Sequence, residues 1–175
     1  MSTPRPAETV NLLMSIIYAG SDLPTDLLEV LSGHYGVIDF ISAEMPFHYT
    51  DYYTEEMGSS LVRRFIFFDT LIRPELLPDV KLFTNDVENR YSVDGNRRVN
   101  IDPGYISPAH LILATGKGYT HRPYLRDGIY ADLTLIYREK SFHPLPWTYP
   151  DYAEKPVMEM FNKLRSKYLM QLKNS

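Results

Sequence analysis

The sequence contains no cysteine, and this absence excludes several kinds of site. The protein has no disulfide, no thiolate nucleophile, no cysteine-based zinc site and no iron–sulfur cluster. It also lacks the motif G-x-x-x-x-G-K-[ST], which excludes a phosphate-binding loop of the Walker type. Residues 162–165 (NKLR) lack the aspartate of the guanine-reading motif Asn-Lys-x-Asp. A chain without cysteine fits a reducing compartment, so we expect a cytoplasmic location.

Long apolar runs and excess positive charge are also missing. No apolar run approaches the roughly 20 residues that a membrane-spanning helix needs, so we expect no membrane association. The apolar stretch 10–19 is interrupted by Asn11, Ser15 and Tyr18, which favours a buried strand over a signal peptide. The net charge is −4, whereas proteins that coat nucleic acid are usually basic. Nucleic acid is therefore not the expected partner.

The composition is that of one folded domain. The chain has 175 residues, of which 44% are hydrophobic and 23% charged, and these values are ordinary for a globular protein. Fourteen tyrosines can serve both the core and a surface that binds a ligand or a partner. We therefore treat residues 1–175 as a single domain.

The hydrophobic periodicity predicts the order strand, helix, strand, strand, helix, strand over residues 10–106. The strands are expected at 10–19, 37–45, 61–71 and 98–106, and the helices after Pro24 and after Pro74 or Pro78. This order is that of the split βαβ, or ferredoxin-like, arrangement, with an antiparallel sheet and helices on one face. We therefore predict an α+β fold with a ferredoxin-like core, whose first and third strands lie centrally.

Residues 107–173 are predicted to extend this core. A serine before a proline is a favourable start for a helix, and Asp-Gly is the strongest short signal for a hairpin turn. Apolar residues at helical spacing near the C-terminus indicate an amphipathic helix. The predicted elements are a short helix from Ser107 to Thr115, a β-hairpin around Asp127-Gly128, a Pro/aromatic segment at 144–152 and a helix from about 154 to 173.

The predicted hairpin brings a histidine and an aspartate together. With a two-residue turn at Asp127-Gly128, His121 lies opposite Thr134 and diagonal to Asp132. A carboxylate beside an imidazole can orient it as a general base or as a phosphate donor. His121 and Asp132 are therefore the candidate catalytic residues. The alternative is a structural hydrogen bond on a solvated face of the sheet.

Positively charged side chains gather in the same half of the chain. Arg97, Arg98, Lys117 and Arg122 are the candidates for contacts with an anion. The arginine fork matches carboxylate or phosphate oxygens, and lysine adds a point charge. The glycine-rich turn around Lys117 can also offer backbone N–H groups to an anion. The alternative is a solvated turn whose charges pair with nearby aspartates.

Four further residues complete the predicted ligand site: Asn100, Asp102, Trp147 and Tyr149. Asp102 can hold a ligand hydroxyl, although Asp-Pro-Gly at 102–104 is also the sequence of a tight turn that would interrupt the fourth strand or place it at an edge. Trp147 and Tyr149 can stack on a base or pack on the core. No metal site is predicted, and the sequence identifies no cofactor.

The stretches 98–105 (RVNIDPGY), 127–131 (DGIYA) and 144–152 (PLPWTYPDY) resemble an uncharacterised bacterial family, domain of unknown function 4416. The stretches 49–53, 81–85 and 121–122 are also similar to it. Members often carry the label "GTP-binding protein", so the resemblance implies GTP as one candidate ligand. It assigns no catalytic residues.

Three functions stay open at this point. The first is a cytosolic binder of a small phosphate-bearing ligand such as a nucleotide, including GTP but without the P-loop of a GTPase. The second is an enzyme of phosphate-ester or acyl-transfer type with His121 as its base. The third is a module that binds a protein or RNA. Because exposed sheet edges can pair, a homodimer is also compatible with the predicted fold.

Overall fold

A computed structural model describes residues 1–20 and 23–175, and they form an α+β fold on one antiparallel sheet. The strands are β1 (Val10–Ala19), β2 (Ile38–Ile41), β3 (Met45–Pro46), β4 (Leu61–Ile72), β5 (Val99–Ile106), β6 (His110–Thr115), β7 (Tyr124–Arg126), β8 (Ile129–Arg138) and β9 (Ser141–Pro144). The helices are α1 (Leu27–Tyr35), α2 (Thr54–Met57), α3 (Leu77–Arg90, after a 3₁₀ turn at Pro74–Leu76) and α4 (Lys155–Lys173).

In the described part of the chain the nine strands follow the order β2-β4-β1-β5-β6-β8-β7, with β3 added to β4 and β9 added to β8. Every pairing is antiparallel. The predicted α+β class with an antiparallel sheet is therefore confirmed. No helix among the described residues has the length and apolar character needed to cross a bilayer.

The strand β1 is buried along nearly its whole length because both faces of the sheet are covered. Leu12 and Met14 pack on one face with apolar side chains of α1 and α3. Leu13, on the opposite face, packs with Phe161 and other residues of α4. A strand that is covered on both sides needs a nearly continuous apolar run, which explains why β1 is uninterrupted by charge.

The short helix predicted from Ser107 to Thr115 is wrong, because most of this stretch is β6. The backbone N–H of Ser107 donates to His110 O at 2.9 Å, and the Oγ of Ser107 accepts from His110 N–H at 3.0 Å. These bonds close a tight turn between β5 and β6. The alternating burial of Leu111 and Leu113 is the period of a strand, and it outweighs the helix-start signal of Ser-Pro.

The strand β5 is also not interrupted at 102–104, and it lies inside the sheet rather than at an edge. Pro103 stands opposite Met14 of β1, and the pairing of β5 with β6 begins only at Gly104. The missing N–H of Pro103 therefore lies where the β5–β6 ladder ends. A Cβ at Gly104 would lie 2.3 Å from Ile112 O, so glycine allows the close approach of the two strands.

The hairpin turn is confirmed, but its register differs from the prediction. Arg126 pairs with Ile129, and positive φ angles at Asp127 (52°) and Gly128 (78°) form the turn. The register shifts between Tyr124 and Arg126, so that Tyr124 pairs with Tyr130. A second turn closes between residues 119 and 122. The prediction that His121 lies opposite Thr134 is therefore wrong, because the bulge displaces the first strand by one residue.

The polar face of β8 is covered rather than solvated. Asp132 is 4% exposed and Thr134 is 1% exposed. The Pro/aromatic segment 144–152 lies over this face, since Trp147 Nε1 donates to Leu133 O at 2.8 Å and Thr148 Oγ1 donates to Thr134 O at 2.6 Å. The segment thereby becomes one wall of the site described next.

Candidate functional site

A cleft in the structure has a volume of about 730 Å³, which lies within the roughly 300–1,000 Å³ typical of ligand pockets. Its walls come from the tyrosine-rich segment 47–53, the end of β6 with the following turn at 113–117, and residues 149–152. A second, shallower depression of about 450 Å³ next to His34 and Gly36 contains none of the residues predicted for the site. The larger cleft is therefore the candidate site.

The cleft lies in a fork between β5 and β6. The two strands pair only between Gly104–Ile106 and Leu111–Leu113, so the preceding part of β5 has a free edge toward β6. Two side chains of α3 form hydrogen bonds with the backbone of Ile101 on this free edge. Glu88 Oε1 accepts from Ile101 N–H at 2.6 Å, and Lys81 Nζ donates to Ile101 O at 3.1 Å. Because buried backbone groups need hydrogen-bond partners, these contacts with α3 stabilise the separation of β5 from β6. The burial of Glu88 raises the pKa of its carboxyl group.

The predicted residues Arg97, Asn100 and Asp102 form one hydrogen-bonded chain along this edge. Arg97 Nη1 donates to Asn100 Oδ1 at 2.9 Å, and Asn100 Nδ2 donates to Asp102 Oδ2 at 2.8 Å. Arg97 also donates to Glu56 through Nε at 2.8 Å and Nη2 at 2.7 Å, and these hydrogen bonds lower the pKa of Glu56. All three guanidinium nitrogens of Arg97 are therefore engaged by the protein.

The predicted residues Arg122, Asp132, Lys117 and Tyr149 meet at the other side of the cleft. Arg122 donates from Nε to Asp132 Oδ2 at 2.7 Å, from Nη1 to Lys117 O at 3.3 Å and from Nη2 to Tyr149 OH at 2.9 Å. One guanidinium thus joins β8, the turn after β6 and the Pro/aromatic segment. Arg122 positions these walls, because each of its three nitrogens donates a hydrogen bond to the protein.

Lys117 differs from the other cations of the cleft. Its Nζ lies 3.5 Å from Tyr52 OH and 4.6 Å from the centroid of the Tyr52 ring, a cation–π geometry. Among residues 1–20 and 23–175, no carboxylate lies within 4.0 Å of it. Its own backbone N–H is used by Thr115 Oγ1 at 3.1 Å, so the ammonium is the group that stays free for an anion.

Sequence reasoning missed an ion pair at the back of the cleft, between Arg63 and Asp151. Both side chains are only 7% exposed, and Arg63 Nη1 donates to Asp151 Oδ2. The guanidinium carbon lies 4.6 Å from the Phe47 ring centroid and 5.1 Å from that of Tyr152. Two arginines within the apolar strand β4 were a usable signal, because a buried charge requires a partner.

Three predicted residues do not line the cleft: Arg98, His121 and Trp147. Arg98 is exposed. The His121 ring stacks on the Trp147 ring with 4.9 Å between centroids, and His121 Nε2 lies 3.5 Å from Asp132 Oδ2. The two rings therefore cover each other, and His121 lies next to Asp132 without facing the cleft.

The cleft combines aromatic rings with single charged groups. In the described ranges no group of three or more histidine, aspartate or glutamate side chains is placed to hold a metal ion. The cleft instead offers tyrosine rings, the half-buried carboxylate of Asp102 and the free ammonium of Lys117. Burial raises the pKa of Tyr53 and of Tyr152, so these phenols stay protonated and can donate hydrogen bonds.

A comparison with family models matches residues 8–168 to the family described as Domain of unknown function (DUF4416). The chain belongs to this family. No curated protein and no solved structure matches it. The matched range of this DUF4416 protein runs from just before β1 into α4 and includes every residue that lines the cleft.

Proposed function

We propose that this DUF4416 protein binds a small phosphate-bearing ligand, such as a nucleotide, in the cleft between β5 and β6. The observation that carries the proposal is the ammonium of Lys117, which lies beside Tyr52 with no carboxylate partner among the described residues, at a cleft with tyrosine walls. A phosphate oxygen accepts strong hydrogen bonds from an ammonium group. A flat base can stack on a tyrosine ring, so one small molecule can use both features.

In this proposal the remaining residues have separate roles. Tyr52 and Tyr149, which are 61% and 50% exposed, present ring faces to the base. Asp102 accepts a hydrogen bond from an N–H or O–H group of the ligand. Arg97 and Arg122 position the walls, because their donors are engaged with protein oxygens.

A thermal-unfolding screen tests the proposal. The panel contains inorganic phosphate, nucleosides, nucleotides including GTP, and a short RNA. A ligand at 100 times its Kd stabilises the folded protein by about 2.7 kcal/mol, which a melting curve resolves. We expect a nucleotide to raise Tm in the wild type and in Lys163→Gln, whose side chain is exposed on α4, but much less in Lys117→Gln.

The other outcomes of the screen are also informative. If no phosphate-bearing compound raises Tm at millimolar concentration, the cleft is not a nucleotide site and the proposal fails. A shift with RNA alone would instead support the interaction module. The enzyme with His121 as base receives no support of its own, because the imidazole is stacked on Trp147 and lies outside the cleft.

We further infer that β1-α1-β2 and β4-α3-β5 form a ferredoxin-like core. The order β2-β4-β1-β5 and the packing of α1 and α3 in one core cluster support this inference, since both match a split βαβ arrangement. A cytoplasmic location and a homodimer through a sheet edge belong to the same proposal. Cell fractionation tests the first, and light scattering of the purified protein tests the second.

A further inference from the structure

The charges around the cleft are almost completely compensated within the protein. Five cationic side chains line it in the described part of the chain: Arg63, Lys81, Arg97, Lys117 and Arg122. Four of them have a carboxylate within 4.0 Å. The pairs are Arg63–Asp151, Lys81–Asp102 at 3.6 Å, Arg97–Glu56 at 2.7 Å and Arg122–Asp132 at 2.7 Å.

A fifth carboxylate, Glu88, lies 3.4 Å from Arg97. The five cations are therefore matched by five carboxylates, of which Asp102, Asp132 and Asp151 line the cleft and the other two lie behind Arg97. Among the described cations that line the cleft, only the exposed ammonium of Lys117 has no carboxylate within 4.0 Å. The cleft is therefore close to neutral as a whole, and its capacity for added negative charge is concentrated at one point.

From this distribution we infer that the cleft selects a ligand with a single phosphate over the corresponding di- and triphosphate. The inference rests on the proposed function and specifies its ligand. One phosphate can contact Lys117 without approaching another ion pair. Each further phosphoryl group adds negative charge. The neighbouring charged groups include Asp132, because Arg122 donates both to Asp132 Oδ2 and to Lys117 O.

A metal ion bound by the protein would relieve this repulsion, as it does in many triphosphate sites. The described residues place no group of three acidic or histidine side chains for such an ion. Because the other cations of the cleft are paired with carboxylates, we expect the rest of the ligand to be neutral. Asp102, Asn100 and the tyrosine hydroxyls suit a body rich in hydrogen-bond donors and acceptors, such as a nucleoside.

Isothermal titration of the wild type with guanosine, GMP, GDP and GTP, and with the adenosine series, tests the inference. Each titration is run with and without Mg²⁺. We expect a monophosphate to bind about tenfold more tightly than its nucleoside, the effect of one charged hydrogen bond, and the di- and triphosphates to bind no more tightly than the monophosphate. An affinity that rises tenfold or more from mono- to triphosphate would overturn the inference while the proposed function stands.

Two variants make the test specific to charge. Lys117→Gln removes the free ammonium, so nucleoside and monophosphate should bind equally well, whereas Lys163→Gln should keep the tenfold difference. Gly116→Lys adds a second cation beside Lys117, and a Cβ at Gly116 meets no atom within 4 Å. This variant should raise the affinity for a diphosphate relative to the monophosphate by severalfold; an unchanged ratio would contradict the inference.

If no compound binds the wild type, both the inference and the proposed function fail.

Discussion

Arg97 holds Glu56 through two parallel hydrogen bonds, Nε to Oε1 at 2.8 Å and Nη2 to Oε2 at 2.7 Å. The same carboxylate accepts from the Arg97 backbone N–H at 3.0 Å. Glu56 belongs to the short helix α2, whereas Arg97 precedes β5. This bidentate contact therefore connects α2, which directly follows the tyrosine-rich segment, to the strand that carries Asn100 and Asp102.

The Glu56–Arg97 contact should make stability depend on pH. Hydrogen bonds from Arg97 lower the pKa of Glu56 from its ordinary value of 4.5. A carboxyl group whose pKa is lowered by folding contributes stability above the unfolded-state pKa and loses it as the pH falls through the folded-state pKa. We expect Glu56→Gln to lower the free energy of unfolding by about 1–2 kcal/mol at pH 7, and we expect its difference from the wild type to shrink as the pH falls below the ordinary value of 4.5.

Urea unfolding at several pH values measures this difference. Glu55→Gln is the matched control, because Glu55 is exposed on the same helix and its substitution removes the same charge. Equal stability of Glu56→Gln and the wild type at pH 7 would show that the contact contributes nothing to folding.

The buried pair Arg63–Asp151 gives a second prediction. Both side chains are 7% exposed, so Asp151→Asn leaves a buried guanidinium without its carboxylate. Loss of one partner of a buried ion pair costs about 3–5 kcal/mol, and we expect a loss of that size in urea unfolding at pH 7.

Replacement of both partners separates the charge effect from packing. The double variant Arg63→Met, Asp151→Leu has neither charge, and such replacements are often neutral or stabilising. It should therefore recover most of the stability lost in Asp151→Asn. A double variant that is less stable than Asp151→Asn would mean that the pair itself, rather than an unpaired charge, determines the loss.

The candidate site could be predicted from the sequence only where its parts are close along the chain. Arg97, Asn100 and Asp102 lie within six residues. Asn100 and Asp102 share one face of an extended strand, and Arg97 lies just before that strand. Lys117 and Tyr52 are 65 residues apart, and Arg63 and Asp151 are 88 apart. Their contacts depend on how α2 and the Pro/aromatic segment pack on the sheet, which no local pattern specifies.

The sequence-based predictions of the fold failed where tertiary position outweighed local sequence preference. Ser107 was expected to start a helix. Instead, the alternating apolar segment after it forms β6 and pairs with β5 on one side and β8 on the other, and these two sets of hydrogen bonds outweigh the helix-start signal. The interruption expected at 102–104 did not occur, because Pro103 lies where the β5–β6 ladder ends and Gly104 permits close approach. The position of these residues in the sheet, rather than their intrinsic preference, determined the result.

Gly104 supplies a third prediction. A Cβ at this position would lie 2.3 Å from Ile112 O and 2.7 Å from Leu113 Cδ2, and the backbone oxygen cannot move without breaking the β5–β6 pairing. We expect Gly104→Ala to lower the free energy of unfolding by about 2–3 kcal/mol, measured as a lower urea midpoint with an unchanged slope. Gly116→Ala, where the added Cβ meets open space, should stay within about 0.5 kcal/mol of the wild type. Equal effects of the two substitutions would contradict the steric explanation.

The fourth prediction is that Arg122 holds the walls of the cleft in place through its hydrogen bonds, and that its positive charge alone does not do so. Its guanidinium contacts Asp132, Lys117 O and Tyr149 OH at the same time, and a lysine cannot donate in this fixed fork. Arg122→Lys should therefore keep the net charge but increase amide hydrogen exchange at 115–119 and 147–150, and lower stability by about 1–2 kcal/mol. Arg98→Lys, on an exposed side chain, should change neither. Unchanged amide exchange in Arg122→Lys would contradict this prediction. It would show that a positive charge next to Asp132 is sufficient and that the fork of hydrogen bonds is not needed.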